Sequence, residues 1–101
     1  MPKSLPASRP PADPSVASLA ALGHTVRAQR RASGLRIDDA AALCGVSVDL
    51  LSRLENGRSG VSTDRVLKVL DALGLAMIVI DKAELPRLRN GLIARGAADD
   101  Q

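Results

Sequence analysis

The chain contains no phenylalanine, tyrosine or tryptophan. Stacking bases on aromatic rings is the usual device of single-strand and RNA-loop binders, so most of that class is excluded. Any core has to be built from Leu, Val, Ile, Ala and Met. Cys44 is the one cysteine. No intrachain disulfide and no cysteine zinc cluster can form, which suits a reducing cytosol. His24 is the one histidine, read as an exposed side chain that is neither ligand nor catalyst. No Ser/His/Asp set, metal-ligand cluster or glycine-rich phosphate loop stands out, so neither an enzyme nor a cofactor is expected. The longest apolar run, LAMIVI (75–80), is far too short to span a bilayer. The N-terminus lacks the apolar stretch of a secretion signal. The expectation is a cytoplasmic protein with no membrane partner.

The 101 residues are enough for one small domain. Fourteen Lys and Arg against eleven Asp and Glu leave a net charge of +3, compatible with a nucleic-acid partner without requiring one. Five of the six prolines fall in residues 1–14, so 1–17 reads as a disordered leader. Order begins at a helix capped by Ser15 or Ser18, with Leu19, Leu22, Val26 and Arg30 on one stripe and Gly34 as its stop. A second helix fits 37–44, with Ile37, Ala40, Ala41 and Cys44 on its inner face, which makes Cys44 a small buried hydrophobe. Asp38 and Asp39 sit in its first turn, where the helix dipole favours acids. The turn Gly45-Val46-Ser47 leads to a third helix over about 48–56, stopped at Asn56-Gly57. A fourth, over about 63–73, is capped by Ser62 or Thr63 and points Val66, Leu67, Leu70 and Leu73 inward, with Gly74 as its C-terminal cap. LAMIVI then reads as a strand. The tail 82–101 is mixed, with a short helix broken near Pro86 and an acidic end.

Two helices joined by a short glycine-containing turn form a helix-turn-helix unit, here 37–56. On its second helix Leu51, Leu54 and Glu55 share one face, which Val46 can join. Asp49, Ser52, Arg53 and Asn56 occupy the opposite face. A helix lying in the major groove needs such a polar outer face. Glu55 is then turned toward the core, where an unpaired carboxylate would be expensive. Arg30 is the basic residue on the apolar stripe of the first helix, so the two are expected to pair.

The run RAQRRASGLRIDDAAALCGVSVDLLSRLENGR resembles the Cro/phage-repressor, or xenobiotic-response-element (XRE), class of helix-turn-helix proteins. The residues that carry the likeness are Arg30, Gly34-Leu35, Ala41, Gly45-Val46-Ser47 and Leu54-Glu55-Asn56-Gly57-Arg58, with Ala72-Leu73-Gly74 closing the fourth helix. The likeness covers about residues 19–74. It implies a mainly α, lambda-repressor-like four-helix domain (18–74), followed by one short β-strand (75–81) that pairs across a dimer. It also implies a buried Arg30–Glu55 ion pair. Val48, Asp49, Ser52 and Arg53 match positions that face the groove, and Ser47, Asn56 and Arg58 match positions that meet backbone phosphates. Arg53 is the best single reader, since a guanidinium can bond guanine O6 and N7 together. Asp49, four residues before Arg53, is expected either to pair with it or to accept a bond from cytosine N4. Arg36 and Ile37 depart from the family, which often has a capping Ser or Thr followed by Gln there. Arg36 is expected to supply a phosphate contact instead.

Because LAMIVI is apolar on both faces and one strand leaves its ladder open, the expected remedy is the same strand from a second subunit. Leu75, Met77, Ile78, Val79 and Ile80 would form the dimer interface. The alternative is that the segment packs on its own helices or its own tail. A two-fold dimer would read an inverted-repeat operator in double-stranded DNA. A helix-turn-helix followed directly by such a strand is similar to the HipB-like antitoxins, which repress their own operon and bind a HipA-like kinase toxin. The expected function is therefore a sequence-specific transcriptional repressor, with an antitoxin role implied. The competing reading is a protein-interaction module of the same fold that binds DNA weakly.

Overall fold

A computed structural model describes residues 15–91. Four α-helices follow one another: α1 (Leu19–Ala32), α2 (Ile37–Cys44), α3 (Val48–Glu55) and α4 (Thr63–Ala72). A 3₁₀ turn, Lys82–Glu84, comes after them, and residues 85–91 continue as helix. Three of the four starts are set by a serine hydroxyl that accepts a backbone N–H of the first turn. Ser18 caps α1 through Ala21, Ser47 caps α3 through Leu50, and Ser62 caps α4 through Arg65. The exception is α2, whose N-cap residue Arg36 makes no such bond; Asp38 and Asp39 in its first turn offset this through the helix dipole.

The core is aliphatic throughout. Val26 from α1, Ala40 and Cys44 from α2, Leu51 from α3, and Val69 and Leu73 from α4 and its cap are buried together. The α1 helix packs along α3, and α2 touches both α3 and α4. The crossing of α1 over α3 is unusually close, because Gly23 has no side chain. A Cβ there would lie 2.3 Å from the Leu54 carbonyl oxygen and 2.7 Å from that of Glu55. Gln29 donates to the Leu73 carbonyl at 2.9 Å, tying α1 to the end of α4.

Several expectations need correction. Leu19 is exposed: its backbone lies near Gly57, just past α3, but its side chain is turned to solvent; Leu22, Gly23 and Val26 form the buried stripe. On α4 the inward residues are Val66, Val69, Leu70 and Leu73, while Leu67 is exposed. Leu67 adjoins Val66 in sequence, and at ~100° per residue that carries it off the packed side. The strand over 75–80 is not present: the segment carries no regular secondary structure and has no ladder partner among the described residues, and the Leu75 N–H bonds back to the Leu70 carbonyl at 2.8 Å. Leu75 is half-buried against the core, but Met77, Ile78, Val79 and Ile80 are exposed, Val79 to 90%. Pro86 does not break a helix; it stands in the first turn of residues 85–91, where its missing N–H costs nothing. The leader reading falls mostly on residues 1–14, outside the described residues. Of its last three residues, Ser15 accepts a hydrogen bond from Arg89 at 2.7 Å.

Candidate nucleic-acid interface

The turn between α2 and α3 has one requirement, a residue with positive φ directly after Cys44. Gly45 supplies it at φ 70°, and the Gly45 and Val46 amides bond back to the Ala42 and Ala41 carbonyls. This reverses the chain so that Ser47 starts α3 at once. The α3 helix then divides by burial. Leu51, Leu54 and Glu55 face the core, Leu50 and Ser52 are half-buried, and Val48, Asp49, Arg53 and the cap residue Asn56 are exposed.

The inner face is fixed by charge as well as by packing. Arg30 Nε donates to Glu55 Oε2 at 2.6 Å and Nη2 to Oε1 at 2.9 Å, a two-pronged contact, while Nη1 donates to the Leu35 carbonyl at 2.9 Å. The two side chains are only 11% and 5% exposed. The Glu55 hydrogen bond holds the guanidinium pKa above its ordinary value; burial works against this, and the charge of Glu55 adds to it. This contact locks the C-terminal end of α3 to α1 and to Leu35 in the 34–36 turn, while Ser47 caps the other end of α3.

On the outer face, Ser47 Oγ accepts the Leu50 N–H at 3.0 Å, which leaves the hydroxyl hydrogen able to donate outward. Asn56 Nδ2 donates to the Ser52 carbonyl at 2.7 Å and reaches Ser52 Oγ only at 3.5 Å, so one hydrogen closes the helix end and the second is the donor left for a phosphate oxygen. Arg58 follows the turn, its backbone N–H on the Arg53 carbonyl at 2.9 Å and its side chain in solvent. Arg36 is exposed and lies 3.4 Å from Asp38, a pair too solvated to hold it in place. Asp49 and Arg53 do not pair as expected. The guanidinium of Arg53 turns away along the α3–α4 loop, and Nη2 donates to the Ser59 carbonyl at 3.1 Å. This loop contact is not among the sequence expectations; the one local feature that accompanies it is the glycine at residue 60. A second missed contact is Lys68 of α4, which donates to the Gly45 carbonyl at 3.4 Å and braces the turn from behind.

A family profile described as a helix-turn-helix domain matches residues 21–81, well over half of the chain. The chain belongs to the helix-turn-helix domain family. No curated protein matches its sequence. The matched span runs from the first turn of α1 through α4 and on over residues 75–80. No described helix is long and apolar enough to cross a membrane.

Proposed function

We propose that the protein is a sequence-specific double-stranded DNA-binding regulator that acts as a repressor. The observation that carries this reading is the division of α3: its apolar face is anchored by the buried Arg30–Glu55 contact, and its exposed face is polar and lies at the end of a capped turn. Such a helix is rigid enough to be placed in a major groove. In this reading Val48, Asp49, Ser52 and Arg53 meet base edges, with Arg53 on a guanine. Ser47, Asn56, Arg36 and Arg58 position the domain on the backbone and carry little sequence information.

The operator contact is dimeric in this account. Met77, Ile78, Val79 and Ile80 are exposed in the single chain, in a segment that forms no backbone ladder among the described residues. A second copy of the same segment supplies both missing things, apolar cover and ladder hydrogen bonds. Two α3 helices related by a two-fold axis then address an inverted repeat with half-sites about 34 Å apart. The layout of the helix-turn-helix followed at once by this segment favours an autorepressor of a toxin–antitoxin operon, with a kinase-like toxin as second partner. The reading is of a protein without enzymatic activity.

A second reading, a protein-interaction module, is favoured by the outward Asp49, which has no ion-pair partner among the described residues, and by the exposed Leu43, Ile78 and Val79. Incubating the purified full chain with sheared genomic DNA, at physiological salt, and sequencing what it retains separates the two. Enrichment of a discrete inverted repeat supports the regulator. Retention of no discrete fragment, with a protein captured from lysate instead, supports the module.

A further inference from the structure

The α3–α4 loop comes close to the guanidinium of Arg53 at two adjacent residues. The Ser59 carbonyl accepts from Nη2 at 3.1 Å. Gly60, at φ 90°, offers only a hydrogen where any other residue has a Cβ, and that Cβ would lie 2.7 Å from Nη2 and 3.9 Å from Cζ. The space Arg53 occupies thus exists because residue 60 is glycine. We infer that Gly60 is a positioning residue for Arg53: with the Ser59 carbonyl it fixes the direction of the guanidinium and so sets the base preference at the position Arg53 reads. The inference rests on the DNA-binding reading above.

The chemistry of the guanidinium makes this workable. Nη2 carries two hydrogens, one on the edge shared with Nε and one on the edge shared with Nη1. Whichever hydrogen bonds the Ser59 carbonyl, the other edge keeps two parallel donors, the pair that matches guanine O6 and N7. The loop therefore holds the side chain without using up its reading capacity. An arginine on an exposed helix face otherwise samples many rotamers, and ordering it on contact costs affinity. Here part of that ordering is done before DNA arrives. A Cβ at residue 60 meets the far end of a flexible side chain, not backbone. Arg53 can relieve that contact by swinging away, which changes its direction; the strain of a non-glycine residue at φ 90° is separate and stays whatever Arg53 does.

The test is selection from a random duplex library with the full chain and with Gly60→Ala, Arg53→Ala and the double variant. Arg53→Ala should relax preference at one base pair per half-site by roughly 5- to 150-fold. Gly60→Ala should relax the same base pair and leave the others intact, and the double variant should be no more relaxed than Arg53→Ala alone. Thermal melting of all four proteins gives the control for backbone strain, which Gly60→Ala introduces with or without Arg53. A Gly60→Ala protein that keeps the wild-type preference at that base pair overturns the inference, as does one whose loss multiplies with that of Arg53→Ala. A wild-type chain that enriches no sequence overturns the DNA-binding reading itself, which distinguishes the two failures.

Discussion

Replacing Glu55 by glutamine exchanges one carboxylate oxygen for an amide nitrogen at almost constant shape. In the native contact both oxygens accept from Arg30, at 2.6 and 2.9 Å. Glutamine has one acceptor and one NH₂, so one N–H of Arg30 must then face another donor. Its guanidinium, in a side chain 11% exposed, also loses its countercharge and keeps as acceptors one glutamine oxygen and the Leu35 carbonyl. Removing one partner of such a buried pair costs about 3–5 kcal/mol. That is a large share of the roughly 5–15 kcal/mol that holds a domain together. At about 4–8 °C per kcal/mol for a domain of this size, Glu55→Gln should lower Tm by at least about 12 °C. Thermal and urea unfolding followed by far-UV circular dichroism measure this directly. A Tm within about 4 °C of wild type would refute the reasoning. The paired change Arg30→Met with Glu55→Leu gives an independent check, because apolar residues of similar volume remove the unpaired charge and should restore much of the loss. The pH dependence has a defined sign. With Glu55 ionised, the Arg30 pKa is raised in the folded state, so its contribution is complete below the ordinary arginine value and is lost as pH rises into strong alkali.

Four further outcomes follow from the same geometry. Gly23→Ala should destabilise by about 3 kcal/mol or more, since the added Cβ meets rigid backbone carbonyls; urea titration checks it, and the ~1 kcal/mol gain expected from helix propensity alone would contradict the close crossing. Arg53→Ala should relax base preference while Arg58→Ala weakens all duplexes alike and lowers the salt slope by about 1, read by fluorescence anisotropy on specific and random DNA. Val79→Asp should leave the helical domain folded and abolish self-association in analytical ultracentrifugation, because Val79 makes almost no contact within its own chain; an unchanged dimer would exclude the 77–80 segment as the interface. Burial raises the pKa of the Cys44 thiol, so alkylation by iodoacetamide at mildly alkaline pH should wait for unfolding, and fast labelling of the folded protein would place Cys44 at the surface.

The helices were legible in the sequence because their stops and starts are local chemistry. A serine hydroxyl or a glycine with positive φ acts within one turn, and the bounds of α2 coincide with the expected 37–44. The Arg30–Glu55 contact was legible for a different reason: each charge stood alone on an otherwise apolar stripe. What could not be read depended on partners far along the chain. Leu67 and Val69 lie on either side of the same helical stripe, and which is buried is decided by where α2 and α1 lie. Asp49 and Arg53 have ideal spacing for a pair on an isolated helix, yet a carbonyl six residues beyond Arg53 takes the guanidinium instead. Gly23 carries a sequence signal of its own. A glycine inside a helix costs about 1 kcal/mol, so its presence points to a close backbone approach. Residues 75–80 have the composition of a strand, but composition supplies no ladder partner.

The central claim is that the outward face of α3 recognises a defined duplex. The affinity ratio between the duplex enriched from genomic DNA and a scrambled duplex of equal length, measured with the full chain across a salt series, tests it most directly. The account predicts a ratio of at least about 10³ at physiological salt, with affinity for both duplexes falling steeply as salt rises. Equal affinity for the two duplexes at every salt concentration would contradict it.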